Sequence, residues 1–226
     1  MANDQEKELA ARASLKYIRD GNVVGLGTGS TAVFLVRALA ERVREGLKVR
    51  GIPTSVNTEK LATSLGIPMI TLADVQEIDV TIDGADEFDP KLRLTKGGGG
   101  ALLREKIVAS ASKQMVVIAD SGKHVPVLGK FPLPVEVIKF AQPLVRKKIA
   151  AMGAGVELRK TAKGEPFLTD EDNYILDCNF GQIPDPPALA RALSDTPGVV
   201  EHGLFINLAS VVVMGKGNEV VEFRRP

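Results

Sequence analysis

Three short segments carry residues that could together move a proton beside a bound oxyanion. The first segment runs from Asp83 through Gly84 and Ala85 to Asp86. In the second, Lys96 precedes four glycines, Gly97, Gly98, Gly99 and Gly100. The third contains Glu105. A carboxylate can serve as a general base, and a lysine beside open backbone N–H groups can stabilise an oxyanion. Glycines also let a ligand approach the main chain. The pattern predicts acid–base chemistry beside a substrate carbonyl.

Glu105 has a simpler explanation on spacing alone. It lies near the start of a predicted helix over 101–112, where a surface carboxylate complements the helix dipole. As a base it would benefit from a pKa raised toward neutrality. Partial burial would raise that pKa, whereas Lys96, Arg104 and the helix dipole would lower it, and the sequence leaves both outcomes open.

The acids at Asp83 and Asp86 follow an apolar strand, IDVTI at 78–82. Clustered carboxylates are costly unless cations or ligand hydroxyl groups satisfy them. A sugar-hydroxyl site, a metal site and a solvated Asx turn are all compatible with this segment. The metal is the weaker of the two functional interpretations, because no further ligand cluster accompanies these acids.

A third loop could bind an anion. The residues Thr28, Gly29, Ser30 and Thr31 follow the strand NVVGLG and precede a helix, for which Ser30 is a candidate N-cap. A helix N-terminus presents N–H groups to anions, although a capped tight turn explains the same residues. Lys123 follows the strand QMVVIA at 114–119 and could bring a second cation to the same edge.

The elements that position these loops alternate between strand and helix. This order predicts an α/β fold with a Rossmann-like parallel sheet, whose ligands bind at the carboxyl ends of the strands. After about residue 130 the order becomes β-α-β-β-α-β, which is a ferredoxin-like α+β arrangement. We therefore predict a catalytic α/β domain over 1–130 plus 205–226 and an inserted ferredoxin-like domain over 131–204. The segments 209–214 and 219–223 could return to the first sheet.

Composition excludes several classes of protein. The 226 residues are 44% hydrophobic and 25% charged, with a formal net charge of +1, so neither a nucleic-acid partner nor a membrane partner is expected. Cys178 is the single cysteine, and the polar N-terminal segment lacks the pattern of a signal peptide, so a cytoplasmic location is expected. The two histidines lack zinc-type spacing.

Together these motifs resemble the signatures of the type A ribose-5-phosphate isomerase family. The resemblance rests on TGST at 28–31, DGAD at 83–86, KGGGGALLREK at 96–106 and SGK at 121–123, which occur in the family's order. It covers nearly the whole chain, including GLFIN at 203–207. It implies a metal-free, cofactor-free interconversion of D-ribose 5-phosphate and D-ribulose 5-phosphate in the non-oxidative pentose phosphate pathway.

The resemblance also implies roles for the residues. Glu105 would be the general base that carries the proton between C2 and C1 through a cis-enediolate. Asp83 and Asp86 would bind hydroxyl groups and assist ring opening, and Lys96 with the glycine amides would stabilise the enediolate. The phosphorylated substrate would be held by Thr28, Ser30, Thr31 and Lys123, with a weaker expectation for Lys7. A homodimer or homotetramer, assembled through the inserted domain, is expected.

Two other functions remain compatible with the sequence. An amino-sugar-phosphate deaminase would be expected to use a histidine, and neither His124 nor His202 lies within the clustered motifs. A sugar-phosphate-binding regulator would bind without turnover. Such regulators usually carry a DNA-binding domain, and the predicted elements leave no segment for one.

Overall fold

The computed structural model describes residues 2–225 of the chain. Its α-helices are α1 (Ala2–Ser14), α2 (Ser30–Arg44), α3 (Val56–Ser64), α4 (Leu102–Ser110), α5 (Gln142–Ala151) and α6 (Pro186–Ser194). Its strands are β1 (Val23–Leu26), β2 (Arg50–Pro53), β3 (Val80–Gly84), β4 (Glu87–Phe88), β5 (Leu94–Thr95), β6 (Met115–Asp120), β7 (Leu133–Val137), β8 (Gly155–Leu158), β9 (Tyr174–Asn179), β10 (Val199–His202), β11 (Leu204–Phe205), β12 (Ala209–Lys216) and β13 (Glu219–Arg224). No helix among them combines the length and apolar character of a membrane-spanning segment.

A six-stranded sheet in the order β13-β12-β6-β3-β1-β2 forms the larger unit. Its strands pair in parallel except for β13, which joins β12 as an antiparallel edge. Every residue of β1, β3 and β6 is buried, as expected for apolar runs in a parallel sheet covered on both faces. The predicted α/β class is confirmed, and so is the return of the last strands to this sheet.

A four-stranded sheet in the order β10-β7-β9-β8 forms the second unit. All its pairings are antiparallel, and α5 and α6 supply the two helices of the β-α-β-β-α-β order. This is the predicted ferredoxin-like arrangement. A separate apolar cluster, which includes Leu133, Val145 and Ile149, forms its core. The residue bounds 131–204 stay a prediction.

Sequence patterns misjudged the short elements. The small sheet β11-β5-β4 was not predicted, because strands of two residues carry no periodicity. The apolar segment MITL at 69–72 predicts a strand, but the structure forms only one bridge there, between Met69 and Gly51. There, Thr71 and Asp74 form a reciprocal capping box that turns the chain into a 3₁₀-helix.

Candidate active site

The predicted site residues converge at the carboxyl ends of β1, β3 and β6. These three strands are adjacent in the parallel sheet, so the segments that follow them meet at one edge. The cleft at this edge is lined by Thr28, Gly29, Ser30, Thr31, Gly84, Ala85, Asp86, Lys96, Gly97, Gly98, Gly99, Glu105 and Lys123. Asp83 lies beneath the cleft surface, since its side chain is fully buried.

A buried lysine between two acids forms the floor of the cleft. Lys96 Nζ lies 3.0 Å from Asp83 Oδ2 and 3.2 Å from Glu105 Oε1, and it donates a hydrogen bond of 2.7 Å to the Gly84 carbonyl. Lys96 and Glu105 are only 2% and 4% exposed. Buried charges are costly unless they are paired, so each member of this cluster depends on the others. The Lys96 ammonium group is thus the cation that Asp83 and Glu105 share.

Burial decides the protonation of Glu105. Burial and the neighbouring Asp83 raise the pKa of Glu105 to about 8, against the opposing effect of Lys96. Burial alone would lower the pKa of Lys96, but the charges of Asp83 and Glu105 outweigh it and raise that pKa. Arg104 pairs instead with Glu171, with Nε and Oε1 2.5 Å apart. The interpretation of Glu105 as a solvated surface acid is therefore wrong.

Glu105 also has an unused oxygen. Its Oε2 atom is buried and accepts no hydrogen bond from any residue in the 2–225 range. A buried carboxylate oxygen without a donor is unstable as an anion and gains by taking up a proton. This oxygen is therefore the atom of Glu105 that is free to take up a proton.

Asp83 is held by the backbone. Its Oδ1 atom accepts hydrogen bonds from the N–H groups of Thr28 (3.0 Å) and Gly84 (2.7 Å). Burial raises its pKa, while Lys96 and these two donors act in the opposite direction. Asp83 thus ties the loop after β1 to Lys96. Because Asp83 is enclosed, its expected contact with substrate hydroxyl groups stays a prediction.

Neighbouring protein side chains leave no room for a Cβ atom at Gly98 or Gly100. Asp86 Oδ2 accepts a hydrogen bond of 2.7 Å from the Gly98 N–H, and a Cβ atom at Gly98 would lie 2.5 Å from Asp86 Oδ1. A Cβ atom at Gly100, where φ is 81°, would lie 2.5 Å from the ring of Phe167. Gly99 faces the cleft and has room around it. Among the glycines of this run that line the cleft, Gly99 is the one with most room beside its backbone.

The loop before α2 forms the opposite wall of the cleft. Gly29 has φ 100° and is the residue preceding the helix, so the expectation that Ser30 caps α2 is wrong. Ser30 is the first helical residue, and the N-terminal N–H groups of α2 are left without a side-chain cap. Lys123 reaches the same cleft from the 3₁₀-helix that follows β6. An anion at this position would meet N–H groups and a lysine.

Three residues that support this loop were missed. The Thr28 hydroxyl lies within hydrogen-bond distance of Thr54 Oγ1 (2.7 Å), Ser55 Oγ (2.9 Å) and Thr58 Oγ1 (3.2 Å). Ser55 is also the N-cap of α3 and accepts from the Thr58 N–H. The sequence signal was the hydroxyl-rich segment after β2, at the same sheet edge. These contacts direct the Thr28 side chain into the protein and away from bulk solvent.

Other candidate residues lie elsewhere. Lys7 pairs with Asp4 on α1 and does not line the cleft. The ring of His124 stacks on Phe88 with centroids 4.8 Å apart, outside the cleft. Burial and the nearby Lys106 lower the pKa of His202 to about 4, and this histidine does not line the cleft either.

The fold and cleft define an α/β enzyme with its candidate site at the edge of a parallel sheet, where a buried acid–lysine pair shares a cleft with the uncapped N-terminus of α2. The chain belongs to the ribose 5-phosphate isomerase A (phosphoriboisomerase A) family, whose model matches residues 50–219. The resemblance identified from the four motifs is thereby confirmed.

Relatives support this membership along the full chain. The ribose-5-phosphate isomerase A of Parvibaculum lavamentivorans is 53% identical, covering 98% of this chain and 99% of its own length. That of Bradyrhizobium diazoefficiens is 52% identical over 100% and 99%. A D-ribose-5-phosphate isomerase solved in complex with phospho-erythronic acid has a TM-score of 0.97 at 38% identity, with 100% of both chains covered. The Methanocaldococcus jannaschii ribose 5-phosphate isomerase A has a TM-score of 0.92 at 40% identity, covering 96% of this chain and 97% of its own.

Proposed function

We propose that this chain is a ribose-5-phosphate isomerase that interconverts D-ribose 5-phosphate and D-ribulose 5-phosphate. The observation that carries the proposal is the buried Glu105, with one unused oxygen, in the same cleft as Lys96 and the N-terminus of α2. An aldose–ketose isomerase needs a base with a pKa near neutrality and a cation near the carbonyl oxygen. It also needs a site for the phosphate, at a distance from the reacting carbons.

In the proposed complex the phosphate binds at the N-terminus of α2. Gly29, Ser30 and Thr31 offer N–H and hydroxyl groups, and Lys123 offers a charge. Thr28 shapes the wall between phosphate and sugar, with its hydroxyl group fixed by Thr54, Ser55 and Thr58. Such binding would place the opened sugar chain along the cleft toward Lys96 and Glu105.

Proton transfer then proceeds in two steps. Glu105 removes the C2 proton, the C–H electrons form a C1=C2 double bond, and the carbonyl electrons move to O1. Lys96 and glycine N–H groups stabilise the resulting enediolate oxyanion. Glu105 returns its proton to C1 while O2 becomes the ketone oxygen and the O2 hydroxyl proton passes to O1. Asp86, at the cleft surface, binds sugar hydroxyl groups and assists ring opening, and Asp83 holds Lys96.

We further propose that the residues 131–204 mediate assembly into a homodimer or homotetramer. Exposed apolar side chains of this part, Ile138, Phe140, Leu144, Met152 and Leu168, support this role, since large exposed apolar surfaces mark interaction sites. A cytoplasmic role in the pentose phosphate pathway fits the reaction and the single unpaired Cys178.

The proposal is tested by proton NMR of ribose 5-phosphate in D₂O with purified protein and excess EDTA. We expect ribulose 5-phosphate to accumulate with solvent deuterium at C1, because the proton on Glu105 exchanges with solvent. An unchanged sugar would contradict the isomerase assignment, and turnover that requires added Mg²⁺ would contradict the metal-free mechanism. Ammonia release from an amino-sugar phosphate would instead favour a deaminase, although neither histidine lines the cleft.

A further inference from the structure

Arg159, which follows β8 in the ferredoxin-like unit, contacts the glycine segment of the cleft. Its Nη1 atom donates hydrogen bonds to the carbonyl oxygens of Gly97 (2.8 Å) and Gly98 (3.2 Å). Neither carbonyl is part of a helix or strand. A side chain from one unit thus binds the main chain of the segment that forms the reacting site in the other.

Arg159 is itself firmly held. Asp177 of β9 accepts two hydrogen bonds from it, from Nε at 2.9 Å and from Nη2 at 2.5 Å, which is the bidentate arrangement that fixes a guanidinium plane. The guanidinium carbon lies 5.9 Å from the centroid of the Phe167 ring, and that ring packs against Gly100. With only 13% of its side chain exposed, Arg159 is a fixed support.

The direction of these hydrogen bonds determines where the glycine N–H groups point. In a trans peptide the C=O and N–H bonds point in opposite directions. The Gly97 carbonyl faces Arg159, and the N–H of the same peptide, on Gly98, points away and donates to Asp86. The Gly98 carbonyl also faces Arg159, so the N–H of Gly99 points away from Arg159 too. Gly99 lines the cleft, where the enediolate would lie.

We propose that Arg159, held by Asp177, is a positioning residue that directs the Gly99 N–H at the oxyanion of the reaction. A cationic donor on the Gly98 carbonyl also polarises that peptide and strengthens its N–H as a donor. This inference rests on the proposed isomerase function. Through Arg159, the ferredoxin-like unit would then contribute to catalysis in addition to its proposed role in assembly.

The test compares Arg159→Met with Arg146→Met, which changes an exposed arginine of the same unit. Loss of one oxyanion donor costs on the order of 10²–10³-fold in kcat, and a misdirected donor should approach the lower figure. We expect Arg159→Met to lower kcat by about 10- to 100-fold with KM for ribose 5-phosphate nearly unchanged. Arg146→Met should leave both constants unchanged.

Two inhibitors separate positioning from general loosening of the site. Phospho-erythronic acid carries a planar carboxylate that resembles the enediolate, so its affinity should fall in parallel with kcat. Inorganic phosphate should bind Arg159→Met as it binds the wild type. If phosphate affinity fell by the same factor as kcat, or if kcat did not change, the proposal would be overturned.

Further variants guard against a folding defect. Asp177→Asn keeps Arg159 in place but weakens its support, and it should lower kcat several-fold without changing phosphate binding. Added methylguanidinium should restore part of the activity of Arg159→Ala, and failure of both expectations would refute the positioning role. A wild-type chain without isomerase activity would refute the proposed function itself, which is a different result.

Discussion

At the scale of single residues, the surroundings of the Glu105 carboxyl group determine its pKa. Burial removes its solvation, Asp83 adds a like charge, and Lys96 at 3.2 Å compensates only in part, so its pKa rises to about 8. The sequence indicates which groups would raise or lower this pKa, but not which effect is larger. Burial of one side chain depends on how α4 packs against the sheet, which no local spacing of residues encodes.

The raised pKa predicts the pH dependence of the reaction. A base must be unprotonated to act, so kcat/KM should rise with pH and level off above an apparent pKa near 8. The measurement is kcat/KM for ribose 5-phosphate across the acidic to alkaline range in the wild type. A profile that levelled off near pH 4.5, the ordinary pKa of glutamate, would contradict the burial argument.

The same shift predicts a pH-dependent difference in stability. A carboxyl group whose pKa rises from 4.5 to about 8 on folding stabilises the folded state below pH 4.5, and this stability is lost as the pH rises toward 8. Glu105→Gln cannot titrate, so its free energy of unfolding relative to the wild type should increase with pH in this window. Urea unfolding of both proteins at several pH values measures the difference, and a constant difference would refute the shift.

At the scale of elements, the glycine segment is shaped by the units on both sides of it. Asp86 fills the space beside Gly98, Phe167 fills the space beside Gly100, and Arg159 binds the carbonyl groups between them. The glycine run itself could be identified from the sequence. Its partners could not, because Arg159 directly follows β8 and Phe167 lies in the irregular segment between β8 and β9, far from the glycines in sequence.

Gly100→Ala should be more destabilising than Gly164→Ala. Both glycines have a positive φ, 81° and 84°, so both substitutions introduce backbone strain of about 1–2 kcal/mol. A Cβ atom at Gly100 would also meet Phe167 at 2.5 Å, whereas the space at Gly164 is open for 4 Å. The free energy of unfolding of each variant gives the comparison. Equal losses of unfolding free energy in the two variants would contradict the packing of Phe167 against Gly100.

At the scale of the whole molecule, the alternation of strands and helices was sufficient to predict the parallel sheet, the ferredoxin-like sheet and the edge at which the candidate residues meet. Parallel pairing made this possible, since it brings the ends of β1, β3 and β6 together. The contacts between units escaped prediction. The hydrogen bonds from Arg159 to the glycine segment and from Lys106 to Glu201 are examples, and they are set by three-dimensional packing rather than by periodicity.

The proposed assembly predicts that Phe140→Glu reduces the molecular mass in solution. Phe140 is 95% exposed and lies just before α5, with the exposed Ile138 and Leu144 close by in sequence, so a charge there would oppose burial in an interface. Leu72→Glu, at a 42% exposed leucine of the other unit, is the control. Light scattering after gel filtration measures both. A monomeric wild type, or an unchanged mass for Phe140→Glu, would contradict the proposal.

The most direct test of the account is the turnover of Glu105→Gln. The amide keeps the shape of the side chain but cannot accept the C2 proton, so kcat should fall by about 10²–10⁴-fold. Phospho-erythronic acid should still bind, and Glu136→Gln, at a buried glutamate outside the cleft, should keep its activity. A Glu105→Gln protein with near wild-type kcat would contradict the assignment of Glu105 as the base.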